Sequence, residues 1–333
     1  MVTSRSGKAV PLALLFFLSP VIGELLSGSS PPAEFFSPFS LALLSCLYGS
    51  GAIIARELKV RWRKDFRAVL VLGGAYGILE EGLMVKSFFD PAWMDLGALG
   101  QFGRFLEVNW VWAVLLTVYH AVFSIAIPIA LVEMALPRQR GERWTTDRQL
   151  HIFMVLIAAV TAFGFVFLTP YRPPPLQYSA AAACVLAAGW AAHRMGRLRW
   201  RPGGGAAPVR RMLLAGLAFA TLFFIFDFLG PYIFLNPALN IAAVALLVFC
   251  MWKLLERYDW DWDGNIKPKL ALVSGALLFF IVLAPLQQLD ATRADNTSGM
   301  ALVGIAAAAL LMLLNYRISR QAQDQGAPSP QGE

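Results

Sequence analysis

Two adjacent glutamates and one histidine stand inside apolar stretches of the chain, where ionisable side chains are rare. Glu80 and Glu81 lie in the third apolar stretch and His120 lies in the fourth. An ionisable group inside a bilayer is costly unless it is paired or hydrated, so a chain that keeps one generally uses it for ion, proton or substrate chemistry. These residue types indicate acid–base work, with a glutamate as general base and the histidine as acid or oxyanion partner.

The composition of the chain indicates that a membrane surrounds these side chains. Of 333 residues, 58% are hydrophobic and 15% are charged. A spanning helix needs about 20 apolar residues, and the apolar stretches are continuous rather than alternating, which favours helices over barrel strands. We therefore expect an all-α fold, a polytopic transmembrane helical bundle of about ten spans. The predicted spans are 9–26, 38–56, 68–87, 110–135, 151–169, 178–193, 211–230, 237–255, 270–288 and 299–316.

The basic residues indicate the orientation of the bundle. The chain has 28 Lys and Arg residues, and all but Lys86, Arg104, Arg172 and Arg293 fall on one set of connections. Because basic residues next to spans are retained on the cytoplasmic side, we expect both termini to be cytoplasmic in a protein of the cell (plasma) membrane. Topology and anionic lipid headgroups account for the net charge of +7, so we expect membrane lipids as partners and no nucleic acid. Glu57 and Glu133 fall at the cytoplasmic edge and are interpreted as ordinary interfacial charges.

The first apolar stretch also has the features of a secretory signal peptide, because basic residues precede it. No A-x-A-like cleavage site follows, so we expect the first span to be retained. The three cysteines all lie inside apolar stretches, where small packing residues are common. We expect them to form neither disulfides nor a metal site, and we expect no cofactor and no metal.

The predicted helices can bring the glutamates and the histidine together. At 1.5 Å per residue, Glu80 lies about 20 Å beyond Arg67, and His120 lies about 15 Å inside Trp110. The two heights differ by about one helical turn, so the groups meet if the third and fourth spans pack closely. Gly73 and Gly77 form a small-residue face that permits such packing. Adjacent carboxylates point about 100° apart on an α-helix, so we expect Glu80 and Glu81 to need separate partners.

Further polar side chains extend the predicted site. Thr117 and Ser124 share a helix face with His120, and Pro128 leaves the carbonyl of Ser124 without its helical donor, free to bind water or substrate. We expect a polar cavity that opens toward the outer face. The predicted substrate-binding residues are Glu24, Thr117, Ser124, Asn109 and Asp227, with Tyr48 and Tyr76 as additional donors.

The site divides the chain into unequal parts. We expect a four-span unit at residues 1–136 that carries the polar site, a six-span unit at residues 137–320 and a disordered tail at residues 321–333. Three functions remain open. The protein is a hydrolase or transferase acting on a lipid or a membrane-embedded peptide, a proton-coupled transporter of a small molecule, or a structural protein in which a buried polar pair holds two helices in register.

The paired glutamates and the later histidine resemble the CAAX-prenyl-protease-like (CPBP) glutamic intramembrane proteases, whose pattern is EExxxR, FxxxH and HxxxN. Glu80 and Glu81 match the glutamates, and His120 matches the second motif with Leu116 in place of its Phe. Val85 stands at the arginine position, and no later intramembrane histidine matches the third motif. The resemblance covers about 45 residues, and it implies that a glutamate activates water while the histidine stabilises an oxyanion.

Two broader resemblances concern the whole chain. Ten spans with both ends cytoplasmic are similar to the drug/metabolite transporter superfamily, in which two inverted five-span halves enclose a midplane site. The chain shows almost no internal repetition of that kind. The segments Glu24–Pro32, Tyr76–Pro91 and Asn109–Trp112 also resemble an uncharacterised set of multi-span membrane proteins, a resemblance that implies no function.

Overall fold

The computed structural model is a helical bundle in which every predicted apolar stretch is helical. The structure describes residues 6–197, 207–258 and 266–326. Helix ends lie within a few residues of the predicted ends, apart from the second span, which continues to Arg61, and the last helix, which continues to Gly326. The remainder of the predicted tail, residues 327–333, lies outside the described residues. The helices that form the apolar stretches are α1 (Ser6–Pro20), α3 (Pro38–Leu44), α4 (Ser50–Arg61), α5 (Arg67–Gly77), α6 (Trp110–Tyr119), α7 (Ile127–Ala135), α8 (Asp147–Phe167), α9 (Pro175–Arg194), α10 (Val209–Phe228), α12 (Pro237–Arg257), α13 (Ile266–Leu289) and α14 (Met300–Gly326). The short helices α2 (Pro32–Phe35) and α11 (Gly230–Ile233) lie in connections between them.

Four π-helical segments interrupt the helices of the N-terminal unit. In chain order they are π1 (Val21–Leu26), π2 (Ser45–Gly49), π3 (Ile78–Met84) and π4 (His120–Ala126). The first and third continue α1 and α5, and the second and fourth join α3 to α4 and α6 to α7. In the part of the chain beyond α7 that the structure describes, all long helices are α-helical throughout. π-Helical segments are rare and occur frequently at functional sites. Their concentration between α1 and α7 therefore points to this part of the chain as a candidate functional region.

Within residues 6–197, 207–258 and 266–326, eight helices are long and apolar enough to cross a membrane. The other two predicted spans correspond to α5 with π3, which carries Arg67, Glu80 and Glu81, and to the alanine-rich α9. The structure is therefore an all-α polytopic bundle. The eight helices run over Lys8–Leu26, Pro38–Arg61, Trp110–Ala135, Asp147–Phe167, Val209–Phe228, Pro237–Arg257, Ile266–Leu289 and Met300–Gln321.

Short elements connect the long helices, and side chains fix where the long helices begin. The side chain of Asn109 accepts a hydrogen bond from the Trp112 amide and so caps α6, while Thr146 and Gln149 form a capping box at the start of α8. Each satisfies amide groups that have no partner within the helix. The short elements are α2 (Pro32–Phe35), the 3₁₀ helix Met94–Leu99, the antiparallel strands β1 (Arg104–Phe105) and β2 (Val108–Asn109), the 3₁₀ turn Pro137–Gln139 and α11 (Gly230–Ile233).

A buried lysine anchors the connection that follows π3. The Lys86 side chain is fully buried, and its Nζ donates hydrogen bonds to the Phe165 carbonyl at 2.8 Å and the Thr169 carbonyl at 3.1 Å. The two carbonyls lie at the end of α8, where cations are favoured by the helix dipole. Lys86 therefore ties the end of π3 to α8.

The C-terminal helices are held together by close apolar packing. A side-chain carbon at Gly216 would lie 2.0 Å from the Leu272 carbonyl oxygen, and one at Gly275 would lie 2.0 Å from the Leu213 carbonyl oxygen. Helices α10 and α13 can approach this closely only because both positions are glycine. Phe223, Phe224 and Phe280 from these helices then pack against Phe123 of π4.

Candidate functional site

Glycine brings the helices that carry the acidic and basic groups into contact. Helix α5 packs along π4, as the Gly73 and Gly77 pattern predicts, and π3 packs against α6. A side-chain carbon at Gly73 would lie 2.8 Å from Ala121 Cα, and one at Gly77 would lie 3.0 Å from His120 Cβ. This close approach places the glutamates of π3 beside the histidine of π4.

His120 lies between the two carboxylates. Its Nε2 is 3.0 Å from Glu81 Oε1, and its Nδ1 is 3.3 Å from Glu80 Oε2. The exposed fractions of the three residues are 6% for Glu80, 8% for Glu81 and 2% for His120. The prediction that the adjacent carboxylates need separate partners is wrong. One imidazole has two ring nitrogens on opposite edges, and a π-helical turn aims the two neighbouring glutamates at them.

Glu81 is fixed by a chain of hydrogen bonds that leads away from His120. The Ser87 hydroxyl donates to Glu81 Oε2, and the indole nitrogen of Trp112 donates to Ser87 Oγ at 3.0 Å. Asn109 lies at the end of this chain, where it caps α6 and donates to the Leu99 carbonyl at 2.7 Å. Asn109 is therefore not in contact with the carboxylates, and it acts on them only by holding Trp112.

Glu80 is held less firmly than Glu81. Its Oε2 faces His120 Nδ1 at 3.3 Å without a hydrogen bond of regular geometry, and the buried Tyr76 hydroxyl likewise forms no such bond among the described residues. The two residues are four positions apart across α5 and π3, so their side chains lie on neighbouring parts of one helix face. Buried polar atoms in native proteins are nearly always hydrogen-bonded. An acceptor and a donor left in this state mark the place where a water molecule or a substrate group fits.

Three tyrosines surround the imidazole. The ring centroids of Tyr48 and Tyr76 each lie 5.9 Å from that of His120, and Tyr119 packs edge-on at 5.1 Å. The Tyr119 hydroxyl donates to the Gly23 carbonyl at 2.6 Å. These rings limit the movement of His120 and exclude competing hydrogen-bond partners from its faces.

Glu24 extends the polar cluster toward the loop after π1. Its Oε1 accepts a hydrogen bond from the Tyr48 hydroxyl, and its Oε2 accepts one from Ser30 at 3.0 Å. Glu24 and Ser30 are half-buried, whereas Glu80, Glu81 and His120 are buried. The polar groups thus form a path from the loop surface inward.

The other predicted residues have different positions. Ser124 Oγ lies 3.0 Å from His120 Nδ1, and the Ser124 carbonyl accepts a hydrogen bond from Ser19 at 2.6 Å. The carbonyl expected to bind water or substrate is thus occupied by a protein hydroxyl. Thr117 lines an apolar cavity on another side of α6. Asp227 is half-buried on α10 and forms no hydrogen bond or ion pair within the described part of the chain.

Several residues of the site lack a signal in the sequence. Ser87 follows the end of π3, so helical periodicity does not connect it with Glu81. Ser19 and Tyr119 precede π1 and π4, where a change of helix type alters which residues share a face. Only the fold places them beside the cluster.

The three central side chains also form a possible metal-ligand set. One donor atom each from Glu80, Glu81 and His120 lies within 4.8 Å of the others. Imidazole nitrogen and carboxylate oxygen are ligands that Zn²⁺ and other divalent first-row cations accept. The donor types therefore suit a divalent cation, although both ring nitrogens of His120 already face carboxylates.

A second group of buried charges lies at the basic ends of α4 and α7. Arg56 and Glu57 are fully buried with 2.6 Å between Arg56 Nη1 and Glu57 Oε1, and Lys59 Nζ lies 2.9 Å from Glu133. Glu57 also accepts hydrogen bonds from the Trp144 amide at 2.9 Å and from the Thr145 hydroxyl at 2.8 Å. The interpretation of Glu57 and Glu133 as ordinary interfacial charges is therefore wrong, because the loop after α7 folds over them.

The fold and the site together define a polytopic membrane protein with a buried carboxylate–histidine cluster between its N-terminal helices. The comparison with family models agrees with this class. The model of an uncharacterized membrane protein family matches residues 13–319, and the chain belongs to this family. Neither a curated protein nor a solved structure matches the chain.

Proposed function

We propose that the protein is an intramembrane acid–base enzyme that hydrolyses a lipid or a membrane-embedded peptide. One observation carries the proposal. Both ring nitrogens of His120 lie within 3.3 Å of carboxylate oxygens, and the buried Tyr76 hydroxyl, four residues before Glu80, forms no hydrogen bond of regular geometry among the described residues. A base, an acid and a neutral donor are thus held at one point, which is the arrangement that hydrolysis of an ester or amide needs.

The contacts assign a role to each side chain. Glu80 takes a proton from a water molecule as the water oxygen forms a bond to the substrate carbonyl or phosphoryl centre. The Tyr76 hydroxyl donates to the oxygen on which charge develops. His120 gives its proton to the leaving group as that bond breaks. Glu81, fixed by Ser87, orients the imidazole and stabilises its charged form.

The position of the polar groups supports an enzyme over a proton-coupled transporter. A transporter exposes its site to both faces of the membrane in turn. Here the path from Ser30 through Glu24 leads to one face, and on the other side of His120 the Ser124 carbonyl is bonded to Ser19. The π-segments also occur only in the first four spans of the described chain, which argues against two similar inverted halves.

The resemblance to the CPBP proteases gives partial support. Glu80, Glu81 and His120 meet in the structure as that resemblance implies. The arginine of the motif has no equivalent, because Lys86, one residue beyond its position, binds the carbonyls of Phe165 and Thr169 instead of a carboxylate. A peptidase of the CPBP type is thus a narrower version of the proposal.

The topology belongs to the same proposal. Helix α5 with π3 and helix α9, together with the eight longer apolar helices, give ten spans. An even number places both termini on one side, and the positive-inside rule makes that side the cytoplasm of a cell whose plasma membrane holds the protein. Reporter fusions at the two termini test this orientation.

Oxygen-18 water provides a test that requires no knowledge of the substrate. The purified protein is reconstituted in liposomes of a total lipid extract with a set of single-span peptides, and products are analysed by mass spectrometry. Hydrolysis puts one labelled oxygen into a product, whereas group transfer gives an unlabelled product. We expect labelled products that Glu80→Gln lowers by about 10²–10⁴-fold, as loss of a general base does.

The control and the opposing outcomes are distinct. Glu34→Gln removes an exposed carboxylate near the same loop and should leave the products unchanged. Proton uptake with no labelled product, measured with a pH-sensitive dye inside the liposomes, would favour the transporter. If Glu80→Gln and Glu81→Gln change only the melting temperature, the cluster is a structural pair.

A further inference from the structure

The polar cluster of the N-terminal helices carries more negative than positive charge. Glu80 and Glu81 both contact His120, and Glu24 is bonded to Tyr48, whose ring packs near the imidazole. Within the described residues, no Lys or Arg side chain pairs with any of these three carboxylates. Buried charges are costly unless they are paired or bind a metal ion. The cluster is therefore suited to a cation.

The donor atoms of the cluster have a spacing close to that of a metal site. One donor atom each from Glu80, Glu81 and His120 lies within 4.8 Å of the others. Ligands that lie about 2.1 Å from a tetrahedral Zn²⁺ are about 3.4 Å from one another. His120 Nε2 and Glu81 Oε1 are 3.0 Å apart, so these two atoms need only a small adjustment.

Glu80 is the donor that is able to move. Its Oε2 forms no hydrogen bond of regular geometry, and the same is true of the Tyr76 hydroxyl among the described residues. Both side chains are buried, with exposed fractions of 6% and 4%. Two buried oxygen atoms near the imidazole thus lack the partners that buried polar atoms normally have, and a cation would supply one.

Neighbouring side chains hold the other two donors in the way that metal ligands are held. A metal-ligating histidine almost always donates its other ring N–H to an oxygen, and ligating carboxylates are themselves hydrogen-bonded. Ser124 Oγ lies 3.0 Å from His120 Nδ1. The Ser87 hydroxyl donates to Glu81 Oε2 and is held in turn by Trp112. His120 Nε2 and Glu81 Oε1 are therefore presented together, while the opposite atoms of both side chains are bonded to the protein.

We propose that Glu80, Glu81 and His120 bind a divalent first-row cation such as Zn²⁺, with Nε2 as the nitrogen ligand. The ion takes the place of the proton between Nε2 and Glu81 and offsets the excess negative charge. A nitrogen ligand favours Zn²⁺ over Mg²⁺ and Ca²⁺, which take oxygen ligands. The half-buried Glu24 and Ser30 provide a polar path from the loop surface. This proposal departs from the expectation of no metal, because the sequence did not show that one imidazole meets both glutamates.

The cation and the proposed hydrolysis need the same nitrogen. Under the function proposed above, His120 gives its proton to the leaving group, and a bound ion displaces that proton. We therefore expect Zn²⁺ to slow hydrolysis and EDTA to restore it. This consequence rests on the proposed function, whereas the binding of the ion does not.

Titration of the full protein with Zn²⁺ tests the binding directly. The protein is purified in detergent without a histidine tag, stripped with EDTA and titrated by isothermal calorimetry. We expect one Zn²⁺ per chain that Mg²⁺ does not displace, and an affinity lowered by more than about 100-fold in Glu81→Gln and His120→Gln. Ser124→Ala removes only the group that orients the imidazole and should weaken binding by about 10-fold. Glu34→Gln and His151→Gln change exposed residues and should leave the affinity unchanged.

Thermal unfolding separates a lost site from a lost fold. An ion that binds only the folded state raises the melting temperature. Zn²⁺ should therefore raise the melting temperature of the wild type and of Glu34→Gln, and it should leave that of Glu80→Gln unchanged.

Two results would overturn the proposal. The first is an unchanged Zn²⁺ affinity in Glu81→Gln and His120→Gln. The second is the absence of Zn²⁺ binding, in both measurements, to wild-type protein whose helical circular dichroism shows that it is folded. Hydrolysis that Zn²⁺ does not slow, with one ion bound, would support the cation site and contradict the role of His120 as proton donor.

Discussion

The N-terminal helices and the C-terminal helices pack in different ways. The N-terminal helices include four π-helical segments and bury Glu80, Glu81 and His120. In the described part of the chain the C-terminal helices stay α-helical and pack through glycine and phenylalanine. The comparison shows that regular apolar helices can pack closely without π-helical segments. We infer that the π-helical segments position the side chains of the polar cluster.

A π-helical segment is a rare alternative to the α-helix. We expect it to persist only where contacts with neighbouring residues stabilise it. In π3 and π4 those contacts are the carboxylate–imidazole bonds and the close approach at Gly77. We therefore expect that loss of the carboxylate–imidazole contacts would also destabilise the π-helical segments.

The largest effect is expected from removing the imidazole. His120→Leu leaves two buried carboxylates without their common partner, and breaking a buried ion pair costs about 3–5 kcal/mol. His151→Leu changes an exposed histidine and should alter stability by less than about 0.5 kcal/mol. Thermal unfolding in detergent measures both. Equal melting temperatures for the two variants would show that the cluster does not stabilise the packing of the N-terminal helices.

Glycine substitutions test the apolar packing of the C-terminal unit. Gly216→Ala places a methyl group 2.0 Å from the Leu272 carbonyl oxygen, and such overpacking costs about 3 kcal/mol. Gly189→Ala is the control, because no atom lies within 4 Å of the added carbon, and it should be neutral or stabilising by about 0.5–1 kcal/mol. The unfolding temperatures of the two variants give the comparison. If Gly216→Ala is also neutral, the close packing of α10 on α13 is not required for stability.

The buried charges on the basic face provide a third test. Glu57→Gln removes the charge that pairs with Arg56 and keeps an oxygen for the Trp144 amide and Thr145. We expect a loss of about 2–3 kcal/mol, because hydrogen bonds to charged groups are worth more than neutral ones. Glu142→Gln, in the same loop, should have little effect. Limited proteolysis within residues 137–146 reports whether the loop opens, and equal cleavage of the two variants would contradict the prediction.

Asn109 tests whether a distant cap supports the cluster. Asn109→Ala removes the cap of α6, at a cost of about 1 kcal/mol, and frees Trp112 to move away from Ser87. Asn109→Ser keeps an acceptor for the Trp112 amide and, as a favoured N-cap residue, should restore part of the loss. The proposed hydrolysis, followed by oxygen-18 incorporation, should fall in Asn109→Ala more than stability alone explains. Activity that tracks the folded fraction would instead limit Asn109 to a structural role.

The smallest effect is expected in the loop between α13 and α14. Arg293 pairs with Asp295 and donates to the Gly28 carbonyl at 2.8 Å, and this pairing lowers the pKa of Asp295 from its ordinary value. A carboxyl with a lowered pKa stabilises the fold at neutral pH and loses that contribution as pH falls through the lowered value. We expect the hydrogen-exchange protection near Gly28, measured relative to the unfolded chain at the same pH, to fall as the pH is lowered into that range. Arg293→Gln should remove this pH dependence and lower the free energy of unfolding by less than about 1 kcal/mol. The same pH profile in the variant as in the wild type would contradict the prediction.

Much of the fold follows from local properties of the chain. Apolar length determines where helices form in lipid, so every predicted span is helical within a few residues. The strands around Arg104 and the turn at Lys86 were not predicted, because short polar connections depend on what they contact. The meeting of Glu80 and Glu81 with His120 was predicted from height and from Gly77, but their sharing of one imidazole was not.

The sequence by itself determined a polytopic helical membrane protein with ionisable groups in its N-terminal apolar stretches, because hydrophobic length and charge position act locally along the chain. Tertiary structure decided which of those groups meet. It joined Glu81 to Ser87 and Trp112, occupied the Ser124 carbonyl with Ser19 and buried Arg56 beside Glu57. These outcomes depend on π-helical turns and on close helix contacts, which arise only when separate segments pack and impose geometry on one another.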